Sequence, residues 1–337
     1  MAHRPTSKPE GIVELAKLAG VSPSTVSRAL ADNPIIAEAT RRRIQNLAAE
    51  RGFRLNQAAS AFRRRKSQAI GVVIPLGHEV DQSLSDPFFM ALLGPLADAL
   101  AREGYDLLLS RVIPTGDGWL ASLIETGRVD GLVLIGQSDQ LAAIEKVAER
   151  YGKLVVWGAR VPGGRQVTVG TDNEAGGRIA AEHLITRGRR RLAFLGNPSV
   201  PEFAARYRGF TSAVSASAAV GDDVLPVHLT AGAAQAEVAA FLLDHPAPDG
   251  IVAASDVIAL SAIQALAERG LRVPDDVAVV GYDDVVLARL TAPPLTTIRQ
   301  DVERGAALLV ELLMRRIAGE PVGSVELPPE LIVRGST

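Results

Sequence analysis

Polar side chains crowd one short predicted helix near the start of the chain: Ser24, Thr25, Ser27 and Arg28. An arginine there can donate two hydrogen bonds to guanine O6 and N7, and Ser24 is short enough to contact a base or a phosphate. Pro23 offers only apolar contact, so it either touches a base or simply begins the helix. Ser22, Thr25 and Ser27 suit phosphate contact or helix capping, which positions a protein on DNA without reading its sequence.

The surrounding segment AKLAGVSPSTVSRAL, residues 16–30, predicts two short helices joined by a tight turn. Gly20 ends the first helix, Ser22 caps the second, and Pro23 suits the first helical position because no backbone donor is needed there. A third helix is expected over residues 37–50. The apolar positions expected to form the shared core are Val13, Ala16, Leu18, Ala19, Val26, Ala29, Leu30, Ile44, Leu47 and Ala48.

Charge is distributed unevenly along the 337 residues. Residues 1–66 carry 13 lysines and arginines against five acidic residues, a balance of +8, whereas the remaining residues carry −10. A basic N-terminal segment followed by an acidic remainder is the pattern of a nucleic-acid-binding module joined to a different domain. The alternative is a merely solvated basic face.

The rest of the chain predicts an α/β architecture. Apolar runs that fit buried parallel strands alternate with helical patterns, at residues 69–75, 105–110, 131–135, 153–157, 191–195, 250–254 and 277–282. About 265 residues are many for one open sheet, so we expect two lobes with parallel sheets flanked by helices. The predicted domains are a helix-turn-helix unit over 1–55, a hinge and linker over 56–68, and a two-lobed unit over 69–337.

The order of these motifs resembles the LacI/GalR family of bacterial transcription regulators. The motifs that carry the resemblance are LAKLAGVSPSTVSRALADNP, LNQAASAFRRR, SDPFF, VGTDNEAGGRIAAEHL, RYRGF, ASDVIALSAIQAL and VPDDVAVVGYDD. The resemblance implies a three-helix DNA-binding domain, a hinge helix and a core similar to periplasmic sugar-binding proteins. It also implies a homodimer on near-palindromic double-stranded operator DNA, with operator affinity controlled by a small effector.

In the hinge, the resemblance assigns DNA contacts to Asn56, Phe62 and Arg63. The family usually carries a leucine wedge where this chain has Phe62. Apolar wedges that include phenylalanine kink DNA by partly unstacking bases, so the larger ring is expected to keep this role. The alternative is that Phe62 packs on its own domain.

Between the lobes, the resemblance places effector-binding residues at strand ends and helix starts: Asp86, Phe88, Phe89, Trp157, Arg206, Ser255, Asp256 and Asp283. Aromatic faces with carboxylate acceptors and arginine donors favour a neutral carbohydrate. At least one of Phe88 and Phe89 is expected in the core, and Asp172 is expected to cap a helix. Ser255 stands where the family often has asparagine.

Enzymatic chemistry finds no support in the sequence. We find no glycine-rich phosphate loop, HExxH pair or GxSxG elbow, and the histidines are scattered without ligand spacing. We therefore expect no catalytic activity, cofactor or metal, and a cytoplasmic regulator, since no apolar segment fits a signal or a membrane span. The second hypothesis is a periplasmic-type sugar-binding protein with no DNA role.

Overall fold

A computed structural model describes residues 11–53, 67–76, 83–116, 118–245 and 248–337. The chain divides into two compact units, residues 1–67 and 68–337. No helix of the described ranges is long and apolar enough to span a bilayer.

The first unit contains the helices α1 (Ile12–Ala19), α2 (Pro23–Leu30) and α3 (Glu38–Glu50). Gly20 ends α1 with a φ of 61°, a left-handed conformation that glycine adopts without steric cost. The Ser22 hydroxyl caps α2 by accepting from the Thr25 backbone N–H at 3.2 Å, and Pro23 occupies the first helical position. Both helix boundaries therefore confirm the sequence prediction.

The core of this unit is built around Leu15, Val26 and Ile44, which are fully buried. The prediction for α1 was partly wrong. Val13 is 56% exposed and Leu18 is 48% exposed, because the buried stripe of α1 instead runs through Leu15, Ala16 and Ala19. Helix α3 also holds the ends of its neighbours, since its Arg43 and Gln45 side chains donate to the last-turn carbonyls of α1 and α2, respectively.

The second unit consists of two α/β lobes. Lobe 1 has the sheet order β11-β5-β4-β3-β1-β2, with every neighbouring pair parallel. Its strands are β1 (Ala69–Pro75), β2 (Asp106–Val112), β3 (Gly131–Ile135), β4 (Leu154–Trp157), β5 (Thr168–Thr171) and β11 (Val325–Leu327). Its helices are α4 (Pro87–Arg102), α5 (Trp119–Glu125), α6 (Leu141–Ala148) and α12 (Val302–Ile317).

Lobe 2 has the sheet order β12-β10-β9-β8-β6-β7. Its strands are β6 (Arg191–Leu195), β7 (Val220–Leu225), β8 (Gly250–Ala253), β9 (Ala278–Asp283), β10 (Thr296–Arg299) and β12 (Glu330–Ile332). Its helices are α7 (Asn173–Thr186), α8 (Pro201–Ser215), α9 (Ala231–Asp244), α10 (Asp256–Glu268) and α11 (Val286–Leu290). The strand pairs are parallel except β10 with β12, which are antiparallel.

Each lobe is built from separate parts of the sequence, because the chain passes between the lobes repeatedly. It leaves lobe 1 after β5, returns through α12, which packs on α4 and β4, and crosses again between β11 and β12. Parallel strands direct their carboxyl ends to the same edge of each sheet, which is where ligands bind in open α/β folds. The two-lobed α/β architecture expected from the sequence is therefore confirmed.

Candidate nucleic-acid interface and ligand cavity

Helix α2 presents a polar face to solvent. Ser22, Pro23, Ser24 and Arg28 are exposed, while Thr25 and Ser27 are half-buried. Val26 and Ala29 are fully buried on the opposite side, so burial of that side fixes which side chains point outward.

Hydroxyl groups cluster at the start of this helix. The Ser22 Oγ lies 2.8 Å from the Ser24 Oγ and 2.8 Å from the Thr25 Oγ1. Within the described residues, the exposed Arg28 guanidinium has no hydrogen-bond or ion-pair partner for its five N–H groups. The predicted hinge contacts Asn56, Phe62 and Arg63 lie outside the described residues.

A cavity lies between the two lobes of the second unit. The space between the lobes amounts to about 710 Å³, part of which is open to solvent. The following predicted effector residues line it: Asp86, Phe88, Phe89, Trp157, Arg206, Ser255 and Asp283. The structure thus brings together strand ends and helix starts that are far apart in the sequence.

Aromatic rings form the lobe 1 wall of the cavity. The Phe88 ring centroid lies 6.0 Å from that of Trp157 and 6.2 Å from that of Phe89, with interplanar angles of 47° and 61°. Phe89 and Trp157 are 8% and 4% exposed, so both also belong to the core of lobe 1. The indole of Trp157 packs so closely on α12 that a side chain at Gly305 would overlap it.

Asp86 and Asp172 both cap helices. The Asp86 Oδ1 accepts from the Phe88 backbone N–H at 2.9 Å at the start of α4, and this residue also lines the cavity. The Asp172 Oδ1 accepts from the Ala175 backbone N–H at 2.9 Å at the start of α7, which confirms the predicted capping role. Asp172 lies outside the cavity lining.

Arg206 is positioned by an unusually close crossing of α7 and α8. A Cβ at Gly177 would overlap the Arg206 backbone, and a Cβ at Gly209 would overlap the Glu174 carbonyl. Glycines at both points allow the two helix backbones to touch. The motifs EAGGR and RYRGF are therefore two halves of one helix contact, and this contact places Arg206 beside the cavity.

Arg206 is 5% exposed, and its guanidinium is firmly oriented. Its Nε donates to the Asn173 Oδ1 at 2.8 Å, its Nη1 donates to the Ala254 carbonyl, and its central carbon lies 3.6 Å from the centroid of the Tyr282 ring. These two hydrogen bonds use two of the five N–H groups of an arginine. The others can serve a ligand, since the residue lines the cavity.

Asp283 ends β9 with a φ of 118°, a left-handed conformation that is strained for a side chain other than glycine. Its Oδ1 accepts from the Gln300 Nε2 at 2.7 Å. Burial raises the pKa of this carboxyl to about 7, although Arg206 and the Gln300 hydrogen bond act in the opposite direction. The carboxyl thus faces the cavity without full compensation for its lost hydration.

Asp256 corrects a sequence prediction, because it lies behind the cavity instead of lining it. It is fully buried, and its carboxylate accepts from the Thr297 Oγ1 at 2.6 Å and the Val285 backbone N–H at 2.9 Å. Burial and the neighbouring Asp283 raise its pKa well above the ordinary value. Ser255 does line the cavity, but its hydroxyl caps α10 by accepting from the Ile258 N–H at 3.2 Å.

Glu202 was not among the predicted site residues, yet it lines the cavity. It lies four residues before Arg206, so both project from the same face of α8. That spacing was the available signal. Burial raises the pKa of the Glu202 carboxyl, and Arg206 opposes this shift.

Metal binding has no support in the part of the chain that the structure describes. No group of three or more histidine, cysteine, aspartate or glutamate side chains there is arranged to hold a metal ion.

Comparison with known proteins gives matches to both units. The model for bacterial regulatory proteins of the lacI family matches residues 11–56, and the model for a periplasmic binding protein-like domain matches residues 181–337. The first match contains α2 with its exposed polar face, and the second contains Arg206 and Asp283.

Full-length relatives extend this similarity over almost the whole chain. The HTH-type transcriptional regulator DegA of Bacillus subtilis strain 168 is 31% identical, covering 97% of each chain. A solved complex of the regulator CelR with cellobiose is 29% identical, with a TM-score of 0.72, and covers 99% of this chain and 100% of that one.

The lac repressor dimer bound to operator and the anti-inducer ONPF is 26% identical, with a TM-score of 0.84, and covers 98% of this chain and 99% of that one. The helix-turn-helix unit, the two-lobed α/β unit and these full-length matches lead to one conclusion. The chain belongs to the lacI family of bacterial regulatory proteins.

Proposed function

We propose that this protein is a transcriptional repressor whose operator affinity is controlled by a carbohydrate bound between its two lobes. The observation that carries the proposal is the composition of the cavity, which sets an aromatic wall with Phe88 and Trp157 alongside Arg206 and Asp283. Sugar rings offer apolar faces for aromatic contact and hydroxyls for carboxylate and guanidinium groups. The cellobiose complex of CelR supports the same ligand class.

The proposed DNA contacts lie on α2. Arg28 is exposed and can donate two hydrogen bonds to guanine in the major groove. Ser24 contacts a base or a phosphate, and Ser22, Thr25 and Ser27 position the helix on the backbone. The charge of +8 on residues 1–66 makes affinity strongly dependent on salt.

The proposed hinge contacts are Asn56, Phe62 and Arg63. Phe62 inserts between base pairs of the minor groove and kinks the operator. A homodimer presents two α2 helices and two hinges to a near-palindromic operator, as the symmetry of the DNA requires. The operator-bound lac repressor dimer supports this arrangement.

Control follows from linkage between the two sites. Ligand binding changes the arrangement of the lobes in each subunit, and this alters how the two hinges meet the DNA. If the ligand lowers operator affinity by a given factor, operator lowers ligand affinity by the same factor. We propose a cytoplasmic regulator that needs no cofactor and catalyses no reaction.

The test is a thermal-shift screen of neutral mono- and disaccharides, followed by operator binding in the presence of each hit. The operator is obtained by selection from random double-stranded DNA. We expect at least one sugar to stabilise the wild type but not an Arg206→Ala variant, and to change operator affinity. A sugar that stabilises the protein yet leaves DNA affinity unchanged would refute the regulatory mechanism.

A chain that binds sugar but selects no DNA would favour the second candidate, a carbohydrate-binding protein of the periplasmic type. That candidate shares the cavity but leaves the exposed polar face of α2 without a role. The matched control for DNA selection is Arg28→Ala, which alters α2 without touching the cavity.

A further inference from the structure

Glu202 lies where the ligand cavity meets the boundary between the lobes. It is the second residue of α8, in lobe 2, and it is half-buried with its side chain on the cavity lining. Arg206 follows one turn later on the same helix. The carboxylate therefore belongs structurally to lobe 2 and faces the ligand space.

On the other side of the boundary, Gln137 follows β3 in lobe 1 and is fully buried. Its side-chain amide is held by the backbone of Ala159, which follows β4. The Gln137 Nε2 donates to the Ala159 carbonyl at 2.8 Å, and its Oε1 accepts from the Ala159 N–H at 3.1 Å. This pair of hydrogen bonds joins the ends of two neighbouring strands, so the Gln137 backbone is rigidly placed.

A hydrogen bond crosses from one lobe to the other at this point. The Gln137 backbone N–H donates to the Glu202 Oε1 at 3.2 Å. A Cβ at Gly158 would lie 2.9 Å from the Gln137 Cδ and 3.0 Å from the Glu202 Oε1. Both contacts would be tight, so a larger residue at position 158 would have to displace the Gln137 or Glu202 side chain.

The same carboxylate thus serves two environments. One oxygen accepts a hydrogen bond from a backbone N–H of lobe 1, and the side chain also borders the ligand space, where the positive charge of Arg206 acts on it. A hydroxyl donor in the cavity can share or compete for this acceptor. A ligand that binds to Glu202 therefore directly affects the hydrogen bond between Gln137 and Glu202 at the lobe boundary.

We propose that Glu202 is a positioning residue that sets the spacing of the two lobes beside the cavity and thereby links the cavity to operator affinity. The link to DNA rests on the function proposed above, whereas the spacing itself does not. In this arrangement the carboxylate acts as an acceptor, so glutamine can replace it and alanine cannot.

The distance between the two lobes is measured by pulsed electron–electron double resonance between two spin labels on the ligand-free, full-length protein. The chain contains no cysteine, so two labels can be placed without removing native thiols. Ala142→Cys on α6 and Ser215→Cys on α8 put one exposed label on each lobe. Wild type, Glu202→Gln and Glu202→Ala are compared in this background. Glu182→Ala is the matched control, because Glu182 pairs with Arg178 on its own helix.

We expect the same distance distribution for wild type, Glu202→Gln and Glu182→Ala, and a shifted or clearly broader one for Glu202→Ala. In the same samples, the backbone amide of Gln137 should exchange with solvent faster only in Glu202→Ala. An unchanged distribution in Glu202→Ala would overturn the proposal. So would a glutamine variant that behaves like the alanine variant, because the effect would then come from charge and not from the bridging hydrogen bond.

Operator affinity without label or ligand gives the second readout. We expect Glu202→Ala to differ from wild type by about fivefold or more, the lower end of typical coupling between sites. An altered spacing with unchanged operator affinity would refute the link to DNA. Selection of an operator by the wild type tests the proposed function separately, so the two failures are distinguishable.

Discussion

Replacing Asp283 by asparagine should stabilise the ligand-free protein in a pH-dependent way. Burial raises the pKa of this carboxyl from an ordinary value of 3.8 to about 7 in the folded state. A carboxyl whose folded pKa lies above its unfolded pKa binds its proton more tightly when folded. The contribution of Asp283 to the free energy of unfolding is therefore highest below its unfolded pKa, near 4, and falls as the pH rises towards 7.

The magnitude follows from the size of the shift. Each pKa unit corresponds to about 1.4 kcal/mol, so ionisation of Asp283 costs the folded state about 4 kcal/mol in full. Roughly half or more of this, about 2–3 kcal/mol, develops between pH 5 and pH 8. Asparagine keeps the shape and can still pair with Gln300, whose Nε2 lies 2.7 Å from the carboxylate, but it never ionises.

The assay is urea unfolding of wild type and Asp283→Asn at pH 5 and pH 8, without sugar. We expect the variant to gain about 2–3 kcal/mol relative to wild type between the two pH values. Asp98→Asn, an exposed substitution on α4, is the control. Titration of His183, whose pKa burial lowers, occurs in both proteins and cancels in the difference. Titration of Asp256 does not cancel, because Asp283 raises its pKa; loss of the Asp283 charge lowers that pKa and adds to the gain at pH 8.

An equal stability difference at pH 5 and pH 8 would refute the reasoning, because it would show that the folded state does not hold the Asp283 proton more tightly. The same variant should bind sugar more weakly, since it loses a charged acceptor in the cavity. Greater stability together with weaker ligand binding would mark Asp283 as a residue kept for function at a cost in stability.

Further substitutions test the other interactions. Arg28→Ala should reduce discrimination against a changed guanine by about 1–3 kcal/mol, measured by fluorescence anisotropy with matched operators, and equal loss on all sequences would contradict base reading. Phe62→Ala should weaken specific binding and reduce operator bending in gel-shift assays; unchanged bending would exclude the wedge. Gly177→Ala should destabilise the fold by about 1–3 kcal/mol and abolish sugar binding by displacing Arg206, whereas Gly232→Ala, with open space around its Cβ position, should do neither.

Local patterns sufficed for the elements with strong periodicity or clear end signals. Helix α2 was predictable because Gly20, Ser22 and Pro23 each satisfy a local backbone requirement. The short strands β5, β10, β11 and β12 were missed, since each has only three or four residues and includes polar ones, whereas the equally short β4 and β8 are apolar throughout. Strand β7 was missed as well, because a glycine and two aspartates interrupt the apolar pattern of its sequence VGDDVL.

The exposure of individual residues was less predictable than their secondary structure. Leu18 is apolar and helical yet 48% exposed, and Asp256 follows a strand end yet is fully buried behind the cavity. Both depend on the rotation of an element against its neighbours. Glu202 was missed for a related reason, since its importance comes from a lobe 1 backbone N–H that is 65 residues away in the sequence.

The sequence by itself determined the basic helix-turn-helix unit, the two-lobed α/β unit and seven of the seventeen residues that line the cavity, because those features rest on local chemistry and on an ordered set of motifs. Only the tertiary structure decided which of these side chains face the ligand space. Glycine-mediated contact of α7 and α8 places Arg206, and burial raises the pKa of Asp283. Such effects depend on contacts between parts of the backbone that are far apart in the sequence, and no local sequence pattern predicts those contacts.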